Sequence, residues 1–139
     1  MCITRQRRYA IGSRTPAAAR DFGHAAVVSA LNPRGWVYAD DASLVISELV
    51  TEAVVSGARW LLLTVELHFD HLVITGRDDR PPGWRRRAEP SETRRRLLDE
   101  LTSRWSADDD SEGTVWVARI RCDPATTDGL PCDLRPARV

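Results

Sequence analysis

Lysine is missing from this 139-residue chain, whose 20 basic side chains are all arginine. That absence excludes chemistry built on an ε-amino group: the P-loop lysine, a Schiff-base lysine and a kinase-type ATP-binding lysine. Cysteine is scarce. Cys2, Cys122 and Cys132 are odd in number, far apart or in a Pro-rich tail, and lack the CxxC spacing of a zinc site, so they read as reduced cytosolic thiols. Net charge is absent as well, because 20 acidic residues balance the 20 arginines. No global field then draws the chain toward nucleic acid or an anionic membrane, and any such role would need a local patch. Residues 1–12 hold no continuous apolar h-region, and no apolar run approaches the roughly 20 residues that span a bilayer. The expectation is a soluble, cytoplasmic protein with no membrane partner and no direct nucleic-acid partner. Its length suits one domain that can bury a core without disulfides or structural metal.

The stretch "VISELVTEAVVSG" shows what is present. From Asp41 to about Val55, Ile46, Leu49, Val50, Ala53 and Val54 recur at the spacing of an amphipathic helix, with Asp40 or Asp41 near its start. Glu48, Glu52 and Ser56 form a separate row to one side of that stripe. Before this helix, residues 4–11 suit a short edge strand, and an Ala-rich helix runs to about Leu31, capped by Ser13 or Thr15 with Pro16 in its first turn. "NPRGW" breaks the pattern. After it, "RWLLLTVELHF" and "HLVITGRD" read as central strands of a hairpin cornered near Asp70. Residues 79–94 form a long loop without period. "RRLLDELTSRW" puts Leu97, Leu98, Leu101 and Trp105 on one helical face, "ADDDSEG" is a turn, and "TVWVARIR" is a last strand with Trp116, Ala118 and Ile120 on one side. The Pro- and Asp-punctuated remainder, 122–139, is expected to be a flexible tail behind a domain over 1–121.

In this order of elements, "SELVTEA", "VITGRDDRPP" and "LLDELTSRW…VWVARI" together resemble the histidine-kinase-like (GHKL) ATPase superfamily. More narrowly, they are similar to its small stand-alone regulators of the actinobacterial anti-sigma-factor serine kinase type, whose corresponding segments read much like SELVTNA and DALADRW. The resemblance covers about Arg5 to Arg121. It implies an α/β (α+β) two-layer sandwich: a mixed, mostly antiparallel sheet covered on one face by about three helices, with ATP between helices and sheet. It also implies functional residues. Glu48 matches the helix-two glutamate that acts as base, and Asp78 matches the aspartate that accepts the adenine amino group. The Mg²⁺-binding asparagine of the family falls on Glu52. Where the family's first glycine box reads roughly DxGPG, this chain has Asp78, Asp79, Arg80, Pro81 and Pro82, and where the second reads GRGL it has Glu92 to Arg95. Both boxes have lost the glycines that let backbone approach phosphate.

Two functional readings follow from the resemblance. The first is a regulator with a degenerate ATP site, binding a sigma factor, an anti-anti-sigma factor or another transcription regulator, with kinase activity weak or lost. The second is an active ATP-dependent serine/threonine kinase with Glu48 as base, Glu52 as a Mg²⁺ ligand and Arg94 and Arg95 contacting phosphate. A homodimeric module is a third. Without the resemblance, Glu48 and Glu52 would read as a solvated helix face, Asp78 as a strand-end turn residue and Arg94–Arg96 as solvated charge. The histidines His24, His68 and His71 show no metal-ligand spacing.

Overall fold

The computed structural model describes residues 3–31, 36–68, 70–80 and 92–123. The sequence expectations for loop residues 81–91, Trp84 among them, and for Cys2, Cys132 and the tail from 124 onward lie outside these residues. Among these residues eight elements follow one another: β1 (Ile3–Ala10), α1 (Thr15–Leu31), α2 (Trp36–Val55), β2 (Trp60–Leu67), β3 (His71–Asp78), α3 (Glu92–Leu101), β4 (Arg104–Asp110) and β5 (Gly113–Arg121). The strands form one sheet in the order β1-β2-β3-β5-β4, antiparallel at every pairing. With the three helices among the described residues, this is the α+β two-layer sandwich expected from the sequence.

Strand alternation builds the inner layer. Leu61, Leu63, Val65 and Leu67 on β2, Leu72 and Ile74 on β3, and Trp116, Ala118 and Ile120 on β5 are all buried in one cluster with helix residues. Ala39, Ala42, Val45, Ile46, Leu49 and Val50 on α2 supply the opposing stripe, and Ala19, Ala26 and Val27 on α1 complete it. Burial of a Val, Leu or Ile side chain contributes about 1.5–3 kcal/mol, so this interface is the main source of stability. The helices approach closely because Gly23 has no side chain: a Cβ there would meet Ile46 Cδ1.

Local signals fix the helix ends. Thr15 Oγ1 accepts a hydrogen bond from Gly12 N at 2.9 Å and donates one to Ala10 O at 3.2 Å, tying the start of α1 to the end of β1. At the other end of α2, Gly57 has φ +81°, its N–H bonds Val54 O, and Ala58 N–H bonds Ala53 O. This pair of bonds is a Schellman cap, and it turns the chain straight into β2.

Two elements differ from the sequence reading. Helix α2 begins at Trp36 rather than near Asp41, so Trp36 opens a helix instead of lying in a loop. Of the added residues Ala39 is buried, a side chain too small to mark a hydrophobic stripe, and Val37 is exposed. Helix α3 stops at Leu101, and "RWSADDD" is strand β4, not a helix end followed by a turn. Ser103 N–H already bonds Arg119 O at 2.8 Å, and pairing with β5 outweighs the poor strand propensity of three consecutive aspartates. Past β5, Cys122 is buried with its N–H on Asp70 O, and Asp123 N–H bonds the Tyr38 hydroxyl, so fixed contacts run two residues beyond Arg121.

Candidate functional site

The two glutamates of α2 meet α3 through one arginine. Glu48 and Glu52 lie one turn apart, and Arg94, in the first turn of α3, donates from Nε to Glu48 Oε2 at 2.6 Å and from Nη1 to Glu52 Oε1. A guanidinium suits this task because its N–H groups fan out in a rigid fork. The three side chains differ in exposure: 26% for Glu48, 20% for Arg94 and 5% for Glu52. Glu52 is therefore the buried end of the cluster. Ser56, the third member of the row, bonds Glu52 O through its hydroxyl at the end of the helix. Arg95 is exposed on α3.

A second arginine–carboxylate group closes β3. Asp78 is wholly buried at the strand's end, facing the helices beside Leu61 and Thr114. Arg80 turns back onto it. Arg80 N–H and Nε–H bond Asp78 Oδ1 at 3.0 and 2.8 Å, and Nη2 bonds Oδ2. The Arg80 guanidinium lies over the Trp116 ring, 5.0 Å from its centroid, and Trp116 stacks with Trp105 at 6.2 Å. Both charged side chains are 0% exposed. A buried charge is tolerated only when it is paired and hydrogen-bonded, which the bidentate fork and the aromatic face provide together.

The backbone around this pair is held from two sides. Gly113 packs under it with φ +148°, and a Cβ at that position would collide with Asp78 O. Asp79 Oδ1 accepts from Arg59 N at 2.7 Å and Trp60 N at 3.0 Å, and Oδ2 accepts from Arg59 Nε at 3.1 Å. Burial alone would raise the Asp79 pKa, but the bonds from Trp60 and Arg59 outweigh it and hold the carboxyl below its ordinary value. The turn after β3 is thereby pinned to the start of β2.

Of the site residues read from the sequence, Glu48, Glu52 and Arg94 come together, while Asp78 belongs to the group at the end of β3. Arg94 contacts both glutamates. Sequence reasoning gives Arg80 no role of its own, although Asp-x-Arg at a strand end carries a signal: an aspartate that accepts the N–H two residues on forms an Asx turn, which returns the arginine toward the carboxylate. The histidines pair locally with acids, His24 with Asp40, His68 with Glu66 and His71 with Asp70. Cys122 is a poor nucleophile, because burial, aided by the Asp70 charge, pushes its thiol pKa up to about 12. Among the described residues no group of His, Cys, Asp and Glu is arranged to hold a metal ion, and no helix is long and apolar enough to cross a membrane. Compared with models of known protein families and with curated proteins, the sequence has no significant match.

Proposed function

We propose that this chain is a regulatory protein of the GHKL type whose ATP site is degenerate, and that it acts in the cytoplasm by binding a protein partner of the sigma-factor, anti-anti-sigma-factor or transcription-regulator class. One observation carries the reading: Arg80 already takes both oxygens of Asp78, the carboxylate that would have to accept an adenine amino group. An exocyclic amine needs an accessible acceptor, and a fully buried carboxylate that already takes three bonds from Arg80 is shielded from an incoming one.

The residues at the other end of the implied site do not fit Mg²⁺ either. A hard divalent cation needs carboxylate oxygens turned toward it, whereas Glu48 and Glu52 are turned onto the Arg94 guanidinium, which would also repel the metal. The same arginine was the candidate phosphate contact, and a guanidinium held by two carboxylates has little positive field left for phosphate. No catalytic step is assigned to Glu48 on this reading. Calorimetric titration with ATP and Mg²⁺ is expected to give no saturable heat. Micromolar binding would sink the proposal.

A further inference from the structure

The face of the sheet turned away from the helices carries an arginine cluster that neither the fold nor the α2–α3 cluster uses. In the sheet register Arg104 on β4 sits directly opposite Arg119 on β5, and Arg121 follows two residues later on the same face. All three are exposed. Like charges directly opposite on neighbouring strands are destabilising, and none of these three makes an ion pair among the described residues, unlike Arg59, Arg77, Arg80, Arg94 and Arg96. The nearby acids are engaged by histidine: Asp70 with His71 at 2.6 Å and Glu66 with His68 at 3.0 Å. Two clefts meet at Arg119. One, of about 230 Å³, is lined by Arg104, Ser106, Val117 and Arg119. The other, of about 340 Å³, is lined by Asp70, His71, Ser103, Arg119, Arg121 and Cys122, with the Asp70 carboxylate taken up by His71.

From this arrangement we infer that the outer face of β4 and β5 is a docking surface for an extended acidic segment of a partner protein, with the pattern acidic–x–acidic–x–apolar. The spacing sets the pattern. Side chains two apart on a strand project from the same face at about 6.6 Å, so one carboxylate meets Arg121, the next lies between Arg119 and Arg104, and the third position falls on half-buried Val117. Arginine forks donate two bonds at a time to a carboxylate, and Ser106 adds a hydroxyl donor at one cleft wall, while the Ser103 hydroxyl is held on Arg119 O. A polyphosphate backbone fits worse. The same two strands continue into Asp108, Asp109, Asp110 and Glu112, which would repel it, and among the described residues no Phe, Tyr or Trp ring stands between the arginines to stack a base. The surface lies across the sheet from Asp78 and Glu48, so it does not depend on the fate of the nucleotide site.

Fluorescence anisotropy with a fluorescein-labelled peptide, SGDSESLSG, tests this on the full chain. The expected result is saturable binding that weakens with salt, falls about tenfold or more in Arg119→Glu, and is unchanged in Arg20→Glu on α1. Circular dichroism checks that Arg119→Glu is folded; if it is not, Arg104→Gln and Arg121→Gln replace it, each expected to weaken binding. The inference is overturned if the peptide does not bind, if the amide version SGNSQSLSG binds equally well, if the arginine variants bind like the parent chain, or if a single-stranded oligothymidylate binds more tightly than the peptide.

Discussion

The two arginine–carboxylate groups use the same chemistry at very different depths. Asp78 and Arg80 are both 0% exposed, two residues apart and capped by an indole, whereas Arg94 and Glu48 remain a fifth to a quarter exposed and join two helices distant in sequence. Depth decides what each can be. The first has become part of the core, and removing either partner alone leaves an unsolvated charge. The second is a clamp whose outer half water can replace, so only its buried end, Glu52, holds α3 firmly to α2.

That contrast can be tested by truncation. The largest effect is expected for Asp78→Ala, which strands the Arg80 guanidinium in the core and should cost about 3–5 kcal/mol in denaturant unfolding. The double change Asp78→Leu with Arg80→Met is expected to recover most of that loss, since no charge is left buried; failure to recover would mean that the pair also sets the turn geometry. Gly113→Ala attacks the same group from its backbone and should cost on the order of 3 kcal/mol, from the left-handed φ and the collision with Asp78 O. At the clamp, Arg94→Ala is expected to cost about 2 kcal/mol by leaving Glu52 buried without its cation, while Glu48→Ala stays within about 1 kcal/mol. Equal losses for the two clamp variants would erase the distinction between its inner and outer halves.

The smallest effect concerns acid. Because the Asp79 carboxyl titrates below its unfolded value of about 3.9, its contribution is complete above that pH and disappears as the pH falls through the lower native value. Unfolding curves at pH 7 and pH 3 should therefore differ less in Asp79→Asn than in the parent chain. An unchanged pH dependence would assign the acid limb to other carboxylates.

Much of the architecture was legible because its signals are periodic. The β2–β3 hairpin and the inner face of β5 follow from alternation, and the core of α2 from its i, i+3, i+4 stripe. What escaped was structure dictated by neighbours. Leu97, Leu98, Leu101 and Trp105 share a helical spacing, yet Trp105 reaches the core from β4, where pairing with Ala118 places it beside Trp116. Nothing local in "RWSADDD" announces a strand; the open edge of β5 imposes it. At the candidate site the carboxylates were legible and their partners were not. Arg94 lies 46 residues from Glu48, a separation no motif spans, and the arginine run around it gives no hint which member turns inward.

Sheet order has an evolutionary consequence. Because β3 pairs with β5 and not with β4, the chain between Asp78 and Thr114 is an excursion closed at its base by one ladder, and Asp78 and Thr114 are themselves register partners. The eight register pairs of that ladder hold Asp78 against Thr114 whatever the length of chain between Arg80 and Glu92. Selection can therefore rewrite the sequence between Arg80 and Glu92, glycines included, while the sheet keeps its register.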